Sequence, residues 1–227
     1  MGLSASIARP SKRRPRARRR PQPAVAPTAP NRTLELASTP LNFMRNETIF
    51  SEGEPAECIY KIESGCVRTY AMLKNGERQL LAFHVPGDCF GLEDRDLRTM
   101  SAEATTDSAI LVVKRKALMT RNGDAASMMR YLLDLTAEEL RRTQRHNKLL
   151  LKGAQERVIG FLLEMKERRG VETEIALHMT RRDIADYLGL TIETVSRTLS
   201  RLESEAAISL PTPWRIVLRV PAALNLQ

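Results

Sequence analysis

Aromatic residues are scarce in this 227-residue chain, at 4%, and there is a single tryptophan, Trp214. That scarcity excludes a stacking-based single-strand nucleic-acid binder, which needs rings as base platforms. No apolar run approaches the ~18 residues that span a bilayer, which excludes an integral membrane protein. Cysteine is rare too: Cys58, Cys66 and Cys89 are odd in number and widely spaced. They form neither a disulfide framework nor a CxxC metal pair, and they read as reduced thiols of a cytosolic protein. The three histidines, His84, His146 and His178, have no metal-ligand spacing, so no metal is expected. Catalytic patterns are missing as well. Ser196 has no histidine partner, and neither a glycine-rich phosphate loop nor HExxH occurs. Asp183 and Asp186 read as a helix cap and a solvated face rather than an acid–base pair. The sequence therefore predicts no enzyme and no cofactor.

Acidic residues are absent from one stretch. Residues 1–30 hold Arg9, Lys12, Arg13, Arg14, Arg16, Arg18, Arg19 and Arg20 with no Asp or Glu, so the tail carries eight of the nine net positive charges. The remainder is nearly neutral, and global charge does not predict DNA binding by it. No apolar segment follows Arg20, as a secretory signal would require; Pro21, Pro23, Pro27 and Pro30 follow instead. Such a segment cannot bury surface and reads as a mobile tail. It either adds nonspecific phosphate contacts or is a leader without function. The other residues have globular composition, the chain being 42% apolar and 28% charged.

Between residues 48 and 115 the chain is punctuated by Gly53, Gly65, Gly76 and Gly87, 12, 11 and 11 residues apart. Turn chemistry at Ser64-Gly65, Asn75-Gly76 and Pro86-Gly87-Asp88 separates short β-prone runs such as Cys58–Ile62, Cys66–Tyr70 and Gln79–Phe83. This spacing predicts a compact β-sandwich or jelly roll whose final strand is Ala109–Val113.

The texture then becomes helical from about Asp124 to Leu151. Met129, Leu133, Thr136, Leu140, Thr143, Asn147 and Leu150 step by 4, 3, 4, 3, 4 and 3, a seven-residue seam suited to a parallel pair of helices. Asn147 above all would fix register. A single helix lying on its own sheet satisfies the same pattern. A second helix, Gln155 to Arg168, follows the interruption at Gly153 and ends at the C-cap glycine Gly170. A short β-prone link, Val171 to Met179, comes next.

Residues 180–203 are the most informative. Thr180 with Asp183 three residues on makes a capping-box start, and Ile184, Ala185 and Leu188 give that helix an apolar face. Gly189 permits a sharp turn and Thr191 caps a second helix. There Val195, Leu199 and Leu202 point inward, while Ile192, Glu193, Ser196 and Arg197 share the other side. A small residue four positions before the turn glycine and Val six after it is helix-turn-helix spacing. Arg197 can donate two hydrogen bonds to guanine O6 and N7, and Glu193 can accept from cytosine N4. A simple i,i+4 pair between Glu193 and Arg197 accounts for the same two residues. Thr191, Thr194 and Arg201, with Arg181 and Arg182 from the first helix, complete the expected DNA-facing set. If the first helix began near a phosphate, Asp183 would weaken DNA binding. Ile208–Leu210 and Arg215–Arg219 around Pro211 and Pro213 read as the wing of a winged helix.

The fold class is accordingly α+β: an N-terminal β-roll (a double-stranded jelly roll), a long dimerisation α-helix and a C-terminal winged helix-turn-helix. The domains are a basic tail at 1–30, the roll at 31–123, the dimerisation helix at 124–151 and the DNA-binding domain at 152–227. Over about residues 35–224 this order resembles the CRP/FNR superfamily of bacterial transcription regulators. Ile49–Gly53, Tyr60–Gly65 and Phe83–Gly91 carry the likeness in the roll, and Thr191–Arg197 resembles the FixK-type group of the FNR branch. The resemblance implies a cytoplasmic homodimeric activator that contacts RNA polymerase and double-stranded DNA. It implies palindromic sites with TTGA-type half-sites read by Glu193, Ser196 and Arg197, in low-oxygen or nitrogen-fixation programmes.

The cyclic-nucleotide form of that fold needs a Gly-Glu-Leu turn and a later Arg-Ser pair for the phosphate. This chain has Leu92-Glu93 after Gly91, and Met100-Ser101 at the pair. Without the arginine the buried phosphate is unbalanced, so no cyclic nucleotide is expected. The iron–sulfur form needs an N-terminal cysteine cluster, which is missing. His84 reads as a half-buried strand histidine rather than a haem ligand. Two rival functions stand beside this reading: a sensor gated by a small molecule in the roll or by a cysteine, and a nonspecific architectural DNA-binding protein driven by the tail.

Overall fold

The computed structural model describes residues 38–120, 125–171 and 173–219. The basic tail and the proposed helix start at Asp124 lie outside them. Eight strands build the roll: β1 (Ser38–Phe43), β2 (Thr48–Phe50), β3 (Cys58–Ser64), β4 (Val67–Met72), β5 (Arg78–His84), β6 (Cys89–Phe90), β7 (Ser101–Ala104) and β8 (Ser108–Lys114). They form two four-stranded sheets, ordered β1-β8-β3-β6 and β2-β7-β4-β5. The last strand thus outruns the expected Ala109–Val113 by one residue at each end. Between the sheets, Phe50, Tyr60 and Phe90 cluster with ring centroids 5.1–6.1 Å apart, packed with Ile62, Val67 and Ile110. Gly65 is obligatory at its turn. Its φ is +89°, and a Cβ there would lie 2.2 Å from Ser108 Oγ and 2.6 Å from the Asp107 carbonyl.

Helix α1 (Arg115–Thr120) leaves the roll and α2 (Ala125–Leu150) follows. At 1.5 Å per residue α2 is about 39 Å long. One face turns toward the protein: Arg142 pairs with Asp88 at 2.8 Å, His146 stacks on Tyr187 at 4.0 Å, and Leu149 fills the space left by Gly160. The heptad seam lies elsewhere. Met129, Leu133, Thr136, Leu140, Thr143 and Asn147 are exposed, Leu133 by 63%, and only Leu150 is half-buried. The helix does touch its own body, through a different set of residues from the seam.

Helix α3 (Ala154–Arg169) begins where Glu156 accepts the Gly153 N–H at 2.9 Å, and Gly170 closes it in the left-handed conformation. Strand β9 (Glu174–Ala176), helices α4 (Arg181–Leu188) and α5 (Ile192–Ser204), and strands β10 (Ile208–Thr212) and β11 (Arg215–Leu218) complete the chain. The third sheet, ordered β10-β11-β9, ties the wing to the β-prone link. The core under these helices is continuous with the roll: Cys66, Leu80, Phe83 and Val85 share it with Phe161, Leu162, Ile184, Leu188, Val195, Leu199 and Ile216. Among the described residues, no helix is long and apolar enough to cross a membrane.

Candidate nucleic-acid interface

Helix α4 starts with a reciprocal cap. Thr180 Oγ accepts the Asp183 N–H at 3.1 Å, and Asp183 Oδ2 accepts the Thr180 N–H at 2.9 Å and its hydroxyl at 2.6 Å. Ile184, Ala185, Tyr187 and Leu188 are buried. Gly189, at φ 61° and ψ 43°, closes the helix, and Arg157 from α3 donates to the orphan carbonyls of Leu188 and Gly189. Thr191 then caps α5 by accepting the Thr194 N–H at 3.2 Å. Val195, Thr198, Leu199 and Leu202 bury one side of α5, and their spacing leaves the opposite side free.

That free side brings together most of the residues singled out in the sequence. Glu193, Arg197 and Arg182 are exposed, and Ser196, Thr194 and Arg181 are partly so. Arg181 donates to Ser196 Oγ at 3.3 Å, which orients the hydroxyl. The Glu193 carboxylate is held below the usual carboxylate range, first by its own backbone N–H and then by the Thr191 hydroxyl, with Arg197 a weaker contributor. The carboxylate is exposed, and among the described residues no ion pair joins it to Arg197. Arg197 makes no hydrogen bond or ion pair among the described residues, so its fork remains available for bidentate contact. Arg201 stands apart, paired with Glu205 at 2.8 Å. Ile192 leans inward against the core instead of sharing the open face, because the first turn of α5 meets the buried cluster.

The placement of Asp183 corrects an expectation. Its residue is 1% exposed and its second oxygen accepts Arg68 Nη1 at 2.6 Å and Arg78 Nη2 at 3.3 Å. It faces the roll, where two guanidiniums balance its charge, rather than an exposed helix start. Arg68, Arg78 and Arg157 had no signal in the sequence, since each lies from 31 to 115 residues from the group it pairs with.

Inside the roll Arg98 is 3% exposed. Its guanidinium pairs with Glu93 at 2.6 Å, donates to the Cys58 carbonyl at 2.5 Å and the Gly91 carbonyl at 3.2 Å, and lies 4.2 Å from the Phe50 ring centroid. Ser101 Oγ is occupied by the Glu52 N–H at 2.9 Å. His84 is fully buried rather than half-buried, bonded to Thr69 and stacked on Phe90, and burial lowers its imidazole to about 4. Burial raises the thiols of Cys66 and Cys89 to about 11. Among the described residues, no group of three or more His, Cys, Asp or Glu side chains could hold a metal ion.

Comparison with known proteins is consistent with this geometry. Residues 40–120 match the cyclic nucleotide-binding domain family, and residues 156–226 match the Crp-like helix-turn-helix domain family. The chain is similar to the nitrogen fixation regulation protein FixK of Azorhizobium caulinodans, at 44% identity over 86% of this chain and 82% of that protein. The Rhizobium meliloti protein of the same name is 37% identical over 78% of this chain and 81% of its own length. Among solved structures, FixK2 from Bradyrhizobium japonicum superposes with a TM-score of 0.78 at 44% identity, covering 83% of this chain and 96% of that one.

Proposed function

The chain belongs to the CRP/FNR family of DNA-binding transcription regulators, in its FixK-type branch, and from that premise we propose that it is a cytoplasmic homodimeric activator of palindromic sites. The open side of α5 carries the proposal: an ionised Glu193, a Ser196 oriented by Arg181, and an unengaged Arg197 stand together on one helical face. An acid on that face is repelled by phosphate and finds a partner only at a base edge such as cytosine N4, while Arg197 matches guanine. TTGA-type half-sites in low-oxygen and nitrogen-fixation control fit that chemistry and the relatives' printed function. RNA polymerase is the second partner.

The exposed seam of α2 supports dimerisation, since Leu133 and Leu140 together with Met129 form an apolar stripe that a second copy would cover. Two α5 helices about 34 Å apart would then enter successive major grooves.

The side chains inside the roll argue against a cyclic nucleotide as effector. Arg98 is already committed to Glu93 and two carbonyls, and Met100 offers no charge where the arginine of the pair is expected. Redox gating through Cys66 or Cys89 is disfavoured by burial that keeps both as neutral thiols. Selection from random duplex DNA by purified protein, with and without oxidant, tests the reading. The expected product is one palindrome under both conditions; equal retention of scrambled sequences would make the protein architectural, and a motif lost on oxidation would make it a redox sensor.

A further inference from the structure

Taking the dimeric, palindrome-reading protein as premise, we propose that Arg68 of the roll is a positioning residue for DNA recognition: through Asp183 it sets the angle of the helix-turn-helix on the body, and so the separation of the two recognition helices.

A helix cap needs one carboxylate oxygen. Asp183 uses Oδ2 for the Thr180 cap and commits Oδ1 to the roll, where Arg68 and Arg78 converge on it. Arg68 is itself held. It lies directly across the strand pair from Glu103, and the two side chains bond at 2.5 Å. Arg78 sits 3.8 Å from the same carboxylate. Two cations from β4 and β5 and two anions from β7 and α4 thus form one largely buried, charge-balanced cluster joining the sheet to the start of the helix-turn-helix.

The apolar contacts nearby do not fix direction in the same way. Phe83 meets Tyr187 edge to face at 5.1 Å, within the core shared by roll and helices. Such packing is non-directional and permits small rotations at little cost. A guanidinium donating to one oxygen at 2.6 Å fixes azimuth as well as distance. The constraint reaches the reading face in two short steps, because Asp183 opens the helix whose Arg181 holds Ser196 on α5. A buried charge cluster adds little net stability over apolar packing, so its effect here is to select one domain orientation.

The test uses the full-length protein and duplexes carrying two half-sites at the selected spacing or with one or two base pairs added or removed. Affinity is read by fluorescence anisotropy and folding by circular dichroism. Wild type prefers one spacing. Arg68→Met is expected to lower affinity there by about tenfold, the scale of coupling between groups in direct contact. It should flatten the spacing preference yet leave discrimination between bases within a half-site unchanged, a pattern that general destabilisation would not give. Arg68→Lys, which keeps the charge, should restore most of the preference. A folded Arg68→Met with wild-type spacing preference overturns the proposal. Should Arg68→Met fail to fold, Arg78→Met carries the same question: partial flattening supports the proposal, and an unchanged preference overturns it. A wild type without spacing preference refutes the underlying dimeric reading instead, and the positioning role falls with it.

Discussion

Replacing Arg98 by methionine should be among the most damaging single changes in the roll. The Arg98 side chain is 1% exposed and that of Glu93 10%, so the substitution strands a largely buried carboxylate. One oxygen of Glu93 already lacks a partner, and the carbonyls of Cys58 and Gly91 lose their donor at the same time. Breaking a buried pair by removing one partner costs about 3–5 kcal/mol. For a protein of this size that corresponds to a fall in melting temperature of roughly 6–20 °C. Replacing both partners tells the mechanism apart from simple loss of packing: Arg98→Met with Glu93→Leu removes the stranded charge and should recover most of the stability. Thermal scans of wild type, both single variants and the double variant measure this directly. The reasoning is refuted if the double variant melts no higher than Arg98→Met, or if Arg98→Met costs under ~1 kcal/mol, as a surface pair would. In the same scans cyclic AMP should leave the wild-type midpoint where it is, since only a ligand that binds the native state raises it.

Arg197→Ala should leave folding intact, because the side chain is exposed, and weaken binding by about 1–3 kcal/mol per half-site while relaxing choice at one base pair; a uniform loss over all sequences would make Arg197 a phosphate contact. The folded state holds His84 near 4 whereas an unfolded histidine titrates near 6.5, so between those values only the unfolded chain takes up the proton. Stability is therefore present above about 6.5 and is lost as pH falls toward 4, with His146 and His178 acting in the same direction. Melting curves from pH 7.5 to 4.5 should show a shallower decline in His84→Gln than in wild type, and parallel declines would refute the assignment. Cys66 and Cys89 should react with a thiol reagent only on unfolding, so rapid labelling of the native protein with loss of DNA binding would reopen redox gating.

The helix-turn-helix was legible because its signals are local. The Thr180–Asp183 box, the turn at Gly189 and the Thr191 cap each act within four residues, and the inward spacing of Val195, Leu199 and Leu202 follows from the helical repeat. The glycine-marked hairpins of the roll were legible for the same reason. Strand β1 carried no such mark: Pro40 sits within it, and it exists by pairing along β8 some seventy residues away. Short β6 and β7 are likewise products of sheet closure. Asp183 shows the limit most clearly. Its capping role was written in the neighbouring residues, but which way its second oxygen points depends on Arg68 and Arg78, which only the tertiary fold brings close. The inward lean of Ile192 and the full burial of His84 depend in the same way on packing between distant segments.

Trp214, at the turn between β10 and β11, carries the Arg45 guanidinium of the roll 5.7 Å above its ring. As the sole indole in the chain, and one that is 45% exposed, it gives the protein an intrinsic optical gauge. Were the wing to tilt away from the sheet, that cation would leave the ring and the emission would shift, so movement of the wing can be followed in unlabelled protein.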